Sequence, residues 1–198
     1  MARRPFILGL TGSIGTGKST TSAMFAEAGV PVWDADAAVH RLYEQDASLI
    51  AEIGKLVPAA VVSGKVDRNT LKSAIKSEPL LLQRLESLVH PRVRADREAF
   101  IAGLTAPLVV LDIPLLFEVG AEAECDAVLV VTIPPEVQRE RVLARGTMTA
   151  ETLDMILSRQ LPLAEKEARA DYVIATETLE STRKAVHDLI AKLTKAEA

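Results

Sequence analysis

The feature that most constrains this chain is a glycine-rich stretch near its start. The eight residues from Gly12 to Ser19 read Gly-Ser-Ile-Gly-Thr-Gly-Lys-Ser and fit the pattern G-x-x-x-x-G-K-[ST]. Glycines let the backbone curl so that successive N–H groups point at phosphate oxygens. An apolar run, residues 6–10, precedes the stretch, and a helical pattern, residues 18–28, follows it. This context predicts a phosphate-binding loop and disfavours a chance match.

Within this loop, Lys18 and Ser19 have the most specific predicted roles. The Lys18 ammonium can reach the β- and γ-phosphates of ATP, and the Ser19 hydroxyl can bind Mg²⁺. The start of the helix adds the positive end of its dipole. A dinucleotide-binding loop would need a third glycine at the position of Thr20, so that alternative is excluded. The residues predicted to bind ATP are Gly15, Thr16, Gly17, Lys18, Ser19 and Thr20.

The alternation of strand and helix patterns predicts an α/β fold, a three-layer αβα P-loop NTPase with a parallel five-stranded sheet. Residues 37–104 have a mostly helical pattern with breaks at Pro58, Ser63-Gly64, Pro79 and Pro91. We interpret them as an inserted helical subdomain that closes with a return helix near residues 92–104. The predicted strands cover residues 6–10, 30–33, 108–112, 127–132 and 172–175, and the other helices cover residues 18–28, 135–145, 149–160 and 179–193.

Acidic residues follow two of the predicted strands. Asp34 and Asp36 lie at the carboxyl end of the second strand, where open α/β sheets bind their ligands. Either residue could accept a proton from an attacking hydroxyl, or it could cap the next helix. The two roles can also be divided, with one aspartate in each. Asp112 ends a strand as in the Walker B pattern, which helps to hold Mg²⁺. A simple turn residue at the strand end is the alternative for Asp112.

Cationic residues concentrate late in the chain. Arginines stabilise the charge of a transferring phosphoryl group, and a mobile helical lid that carries them would exclude water. A solvated helix face is the simpler explanation for most of them. Earlier in the chain, His90 precedes Pro91 at a predicted break between helices, where a structural role is favoured over substrate contact. The late cations are Arg139, Arg141, Arg145, Arg159, Lys166 and Arg169.

Composition narrows the classes of partner. The 198 residues are 48% hydrophobic and 25% charged, which suits one globular unit with small insertions. A net charge of −4 disfavours bulk nucleic-acid binding. No apolar run approaches the ~20 residues of a membrane span, and no signal peptide is evident. The single cysteine, Cys125, allows no internal disulfide, which fits a reducing compartment. We therefore expect a cytoplasmic protein without membrane or nucleic-acid partners, and a monomer is the default.

Several short motifs, in this order and spacing, resemble the dephospho-CoA kinase family over nearly the whole chain. The phosphate-binding loop alone indicates only the superfamily, whereas the full set is typical of this family. The motifs are Leu10 to Thr20, Asp34-Ala35-Asp36, Asp67-Arg68, His90-Pro91, Pro114-Leu115-Leu116-Phe117-Glu118, Gln160-Leu161-Pro162, Lys166 and Ala170 to Ile174.

The resemblance implies ATP-dependent phosphorylation of the ribose 3′-hydroxyl of dephospho-CoA, the last step of coenzyme A biosynthesis. It implies that Asp36 is the general base, Lys18 binds phosphate and Arg145 is the lid arginine. It further implies acceptor contacts by Asp34, His90, Leu115 and Phe117, and Mg²⁺ binding by Ser19 and Asp112. The implied division is a nucleotide-binding core at 1–36, 105–138 and 171–198, a helical CoA subdomain with its return helix at 37–104, and a lid at 139–170.

Some positions depart from the family pattern, and two other functions compete. The family commonly has glycine where this chain has Ser13, and Asp or Asn where it has Gly146. It often has Asn at the end of the last strand, where this chain has Thr176-Glu177. These differences bear on the geometry of the lid and on contacts with adenine. A P-loop kinase for a nucleoside or nucleotide is one alternative, and the insert after Asp36 would decide it. A nucleotide-binding switch is the other, but the chain has no [NT]-K-x-D guanine motif.

Overall fold

The structure, a computed structural model, describes residues 4–195, so the ends of the predicted core segments 1–36 and 171–198 lie outside it. In chain order, its elements are β1 (Phe6–Gly12), α1 (Lys18–Glu27), β2 (Val32–Asp34), α2 (Ala35–Gln45), α3 (Ala47–Leu56), β3 (Val61–Val62), β4 (Lys65–Val66), α4 (Arg68–Ser77), α5 (Leu80–Ala102), β5 (Leu108–Asp112), β6 (Ala127–Thr132), α6 (Pro135–Ala144), α7 (Ala150–Leu157), α8 (Leu163–Arg169), β7 (Tyr172–Ala175) and α9 (Leu179–Lys195). Two compact units result, one formed by Asp34–Gly103 and one by the chain on either side of it.

A five-stranded sheet in the order β2-β5-β1-β6-β7 forms the centre of the larger unit. Strand β1 pairs in parallel with both β5 and β6, and β6 pairs in parallel with β7. All five residues of β5 are buried, as expected of a parallel strand covered on both faces. The predicted parallel sheet is confirmed.

Helices cover both faces of this sheet. On one face, Leu8 and Leu10 of β1 pack into a core with Phe25 of α1 and Val186 of α9. Gly9 lies on the opposite face, where an added Cβ would stand only 2.6 Å from the Leu116 side chain. A larger residue cannot fit there, because the loop after β5 packs directly on the strand. The two covered faces confirm the αβα layering.

The smaller unit has its own core, formed by apolar residues of α3, α4 and α5 with the β3–β4 hairpin. The hairpin is a feature that the mostly helical prediction missed. Its two-residue turn has positive φ at both Ser63 (51°) and Gly64 (76°), as a type I′ turn requires. The predicted break at these residues is thus a tight strand connection inside a helical unit.

The predicted break at His90-Pro91 is wrong, because α5 runs without interruption from Leu80 to Ala102. A proline inside a helix removes one backbone hydrogen bond and normally bends or ends the helix. Here Leu81, Leu85 and Val89, spaced four residues apart, are buried in the core of the smaller unit. Their burial offsets the cost of the proline, and the helix continues through Pro91.

The segment 139–170 is more helical than predicted. Helices α6 and α7 match the predicted ones, although α7 ends at Leu157 instead of residue 160. Helix α8 was missed, since its seven residues are too few and too polar for a periodic signal. Among residues 4–195, no helix combines the length and apolar character that crossing a membrane requires.

Candidate active site

The glycine-rich loop joins the end of β1 to the start of α1, as predicted. Gly15 and Gly17 adopt φ angles of 80° and 88°, in the left-handed region that favours glycine. The loop is braced internally at Ser13, whose carbonyl accepts hydrogen bonds from Thr16 N (3.2 Å) and Thr16 Oγ1 (2.8 Å). The first turn of α1 contains no acidic residue, so the positive end of the helix is not neutralised locally.

Lys18 and Asp112 form an ion pair at the carboxyl ends of neighbouring strands. Strand β5 lies beside β1 with Asp112 in register with Leu10, so β5 places this carboxylate next to the loop. Asp112 is 3% exposed, which is unusual for an acid and is explained by its cationic partner. The sequence predicted both residues at the site but not their pairing.

Two oxygen groups at this position suit a divalent cation. The Ser19 side chain is exposed and makes no side-chain hydrogen bond with a described residue, and Asp112 supplies a carboxylate. No group of three or more His, Cys, Asp or Glu residues among residues 4–195 could hold a metal by itself. This donor set fits Mg²⁺, which is typically bound by one or two protein oxygens together with phosphates and water.

Three side chains from distant parts of the chain bind the outside of the loop. Gln138 of α6 donates to Ile14 O (2.6 Å), and Thr176 after β7 donates to Thr16 O (2.6 Å). More weakly, Ile14 N donates to Gln160 Oε1 (3.4 Å). Prediction from sequence missed Gln138 and the contact of Thr176, because nothing local marks a side chain as a partner of a loop more than a hundred residues away.

The loop after β5 holds two predicted acceptor-binding residues in different environments. Leu115 is 41% exposed, whereas Phe117 is 6% exposed. The guanidinium of Arg169 lies over the Phe117 ring at 4.4 Å from its centre, a cation–π contact. Leu115 is therefore available to a ligand, and Phe117 fixes the loop against α8.

The same loop is tied to the following segment through Glu118. Its carboxylate accepts a hydrogen bond from Leu161 N (2.9 Å) and lies 2.8 Å from the Lys166 ammonium, which is completely buried. Lys166 and Glu118 therefore form an ion pair. Burial, the largest influence, would raise the pKa of Glu118, but Lys166 and Leu161 N together hold it below its ordinary value.

The late arginines separate into occupied and available side chains. Arg139 pairs with Asp154 of α7 at 2.5 Å, and Arg169 pairs with Glu122. Arg141 donates to the carbonyls of Thr176 and Glu177, each at 2.9 Å. Arg145 is exposed and makes no side-chain hydrogen bond or ion pair with a residue that the structure describes, and the same is true of Arg159.

In the smaller unit, Asp34 and Asp36 have different local roles. Asp34 is the N-cap of α2, where its carboxylate accepts a hydrogen bond from Ala37 N (2.9 Å). Asp36 lies in the first turn of α2, exposed and without a side-chain partner among residues 4–195. The capping alternative applies to Asp34, and the carboxylate of Asp36 is available. His90 is exposed on α5.

The αβα sheet, the glycine-rich loop before α1 and the Lys18–Asp112 pair together define a P-loop nucleotide-binding protein. The sequence profile of one family, dephospho-CoA kinase, matches residues 6–181. The chain is 58% identical over 190 residues to the dephospho-CoA kinase of Cereibacter sphaeroides, covering 96% of each chain. The chain therefore belongs to the dephospho-CoA kinase family.

Solved structures agree with this membership. A Thermus thermophilus protein shares 40% sequence identity and a TM-score of 0.85, and the match covers 96% of this chain and 99% of that one. A dephospho-CoA kinase from Campylobacter jejuni shares 25% identity and a TM-score of 0.73, with 97% and 98% covered. The fold that these two proteins share with this chain extends over nearly its whole length.

Proposed function

We propose that this chain transfers the γ-phosphoryl group of ATP to the ribose 3′-hydroxyl of dephospho-CoA, forming CoA and ADP. This reaction is the last step of coenzyme A biosynthesis. The observation that carries the proposal is the family match over residues 6–181, which includes the phosphate-binding loop and the motif Pro114-Leu115-Leu116-Phe117-Glu118. The two kinds of site that such a transfer needs, a phosphate cradle and an available carboxylate, are both found in the chain.

The phosphate cradle is residues Gly15 to Thr20. Backbone N–H groups of a curled glycine-rich loop and the start of α1 bind phosphate oxygens, and Lys18 adds a mobile positive charge. Its ammonium is paired with Asp112, so phosphate binding requires Lys18 to share or exchange this partner. Ser19 and Asp112 would hold Mg²⁺, which supplies charge neutralisation at the phosphates when bound.

The acceptor is activated by a carboxylate, for which Asp36 is the candidate. As the 3′-oxygen forms its bond to the γ-phosphorus, its proton passes to Asp36, the bond to the bridging oxygen breaks and ADP leaves. Two observations support Asp36 over Asp34. Asp34 is engaged as the N-cap of α2, whereas the Asp36 side chain is exposed and free of partners among the described residues.

The charge that develops on the transferred group is stabilised by Arg145. This arginine follows the last turn of α6, and its side chain is exposed with no partner that the structure describes. Arg139 and Arg141 are engaged with Asp154 and with the chain after β7. Residues 139–170 would act as a lid around the core 1–36, 105–138 and 171–198, and residues 37–104 would bind the acceptor.

Acceptor contacts are proposed for exposed side chains. Leu115 and His90 are both exposed, and Asp34 can contact the acceptor only with the part of its carboxylate that the helix cap leaves free. Phe117 is buried under Arg169, so a direct contact of its ring with the acceptor is the least supported of these assignments. A cytoplasmic location is part of the proposal, supported by the single cysteine, and a monomer is proposed as the simplest assembly.

The proposal is tested with a coupled assay, in which ADP release by the purified protein is followed as NADH oxidation in the presence of ATP, Mg²⁺ and dephospho-CoA. The product is identified by mass spectrometry. Formation of ADP that requires dephospho-CoA, with CoA as the product, is the expected result. ADP release that is the same without acceptor, or that requires a nucleoside or nucleotide instead, would overturn the assignment. Light scattering on the same preparation tests the monomer.

A further inference from the structure

Two carbonyl groups of the phosphate-binding loop accept hydrogen bonds from side chains outside the loop. Ile14 O accepts from Gln138 Nε2 and Thr16 O accepts from Thr176 Oγ1, each at 2.6 Å. Both donors are almost completely buried, Gln138 with 5% and Thr176 with 6% of its surface exposed. Burial protects these contacts from competition with water, so they hold the loop more strongly than exposed hydrogen bonds would.

Each of these carbonyls belongs to a peptide group whose N–H comes from a glycine. The carbonyl of Ile14 shares its peptide plane with the N–H of Gly15, and that of Thr16 shares its plane with the N–H of Gly17. All described peptide bonds are trans, and in a planar trans peptide the C=O and N–H bonds point in opposite directions. A donor that fixes the carbonyl therefore also fixes the direction of the glycine N–H.

The two glycine N–H groups point away from Gln138 and Thr176. Neither N–H donates a hydrogen bond to any residue in the described range 4–195. Both belong to a stretch whose sequence pattern binds phosphates with backbone N–H groups. Unpaired backbone donors held in a fixed direction are the components of an anion site.

We propose that Gln138 and Thr176 are positioning residues for the phosphates of ATP. They hold the N–H groups of Gly15 and Gly17 in the direction that phosphate binding requires. A loop that is already ordered loses less conformational freedom when the nucleotide binds, so its affinity is higher. This inference deepens the proposed function and rests on the ATP-binding part of it.

The supports of the two donors make them rigid. The backbone N of Thr176 donates to Thr132 O (2.9 Å), and Arg141 donates to the carbonyl of Thr176 (2.9 Å). Helix α6, which carries Gln138, packs directly on the loop. A side chain added at Gly15 would clash with Val142 of this helix. Helix α6 therefore holds the loop through Gln138 and, by way of Arg141, through Thr176.

The test is ATP titration, in the absence of acceptor, of the full chain and of variants that remove one donor. Thr176→Val keeps the shape and removes the hydroxyl, and Gln138→Met keeps the length and removes the amide. Each is expected to weaken ATP binding about tenfold, the effect of one unsatisfied buried acceptor. Thr176→Ser restores the hydroxyl and is expected to bind ATP within about threefold of the parent. The KM for dephospho-CoA should stay nearly constant in all three variants.

Binding of ATP by Thr176→Val and Gln138→Met within about threefold of the parent would overturn the inference, even if their melting temperatures fell. An equal loss in Thr176→Ser would overturn it as well, because the hydroxyl would then not be the active group. If Thr176→Val does not fold, Gln138→Met decides the question alone. Failure of the acceptor chemistry would show only in the ADP-release assay, so the two failures can be told apart.

Discussion

Lys18 at the first turn of α1 and Asp112 at the end of β5 neutralise each other in a nearly closed environment, with 17% and 4% of their side chains exposed. Such a pair is stable while both members are present, and removal of one leaves an uncompensated charge. In the proposed reaction, Lys18 binds phosphate and Asp112 helps to hold Mg²⁺. One ion pair thus connects the structure of the site with its chemistry.

The first prediction concerns the Asp112 carboxylate. Asp112→Asn keeps the shape but removes the charge, so we expect kcat to fall about 10²-fold and the half-maximal Mg²⁺ concentration to rise. Titration of activity with Mg²⁺ at saturating ATP measures both effects. Asp154→Asn, which removes an exposed carboxylate paired with Arg139, is the matched control. An unchanged Mg²⁺ dependence in Asp112→Asn would exclude a metal-binding role for Asp112.

The second prediction concerns the proposed general base. Asp36→Asn is expected to lower kcat by about 10²–10⁴, because the carboxylate can no longer accept the proton of the 3′-hydroxyl. The KM for ATP should change little, since the phosphate loop is intact. Steady-state kinetics at saturating substrates measures this, with Asp188→Asn on the exposed face of α9 as a charge-matched control. Full turnover by the Asp36 variant would exclude it as the base.

The third prediction separates Arg139, in the middle of α6, from Arg145, which directly follows the helix. Arg145→Ala should lower kcat about 10²-fold or more, because its guanidinium has no partner among residues 4–195 and is available to stabilise the transferring group. Arg139→Ala should leave kcat nearly unchanged, because Arg139 is engaged with Asp154. Measurement of kcat for the two variants side by side decides the assignment. The reverse order of effects would give the role to Arg139.

The fourth prediction concerns Glu118 and pH. Because the pKa of Glu118 in the folded chain lies below its ordinary value of 4.5, ionisation of this group stabilises the fold above that pH. The contribution is lost as the pH falls through the folded-state value. Glu118→Gln should therefore be less stable than the parent near pH 7, and the difference should shrink below about pH 4.5.

Urea unfolding of parent and Glu118→Gln across this pH range measures the difference. Glu180→Gln, at an exposed position of α9 without a side-chain partner among residues 4–195, serves as the control. A gap between Glu118→Gln and the parent that stays constant with pH would show that shape, and not charge, is what Glu118 contributes.

The prediction from sequence was strongest where the signal is local. The buried strands β5 and β6 are continuous apolar runs, and the phosphate loop is a fixed pattern of glycines, so both were found at nearly the observed bounds. Pro91 predicts a helix break that the structure does not have, because burial of the apolar stripe along α5 outweighs the local preference of proline. The short helix α8 lacked a periodic signal altogether.

The supports of the site were not predictable in the same way. Gln138 and Thr176 lie 124 and 160 residues from the loop carbonyls to which they donate. The pairing of buried Lys166 with Glu118 and of Arg169 with Phe117 also depends on how α8 packs, and α8 itself was missed. A single sequence reveals the groups that do chemistry more readily than the groups that hold them in place.

The distance in sequence between the loop and Thr176 has a consequence for the synthesis of this chain on the ribosome. The loop leaves the ribosome early, but both strands that flank β1 and the donor Thr176 are translated much later. A nascent chain therefore carries a complete phosphate-binding pattern before β5, β6 and Thr176 are present to support it. ATP binding by a nascent chain is therefore expected to strengthen in steps, as Gln138 and then Thr176 emerge and take their places beside the loop.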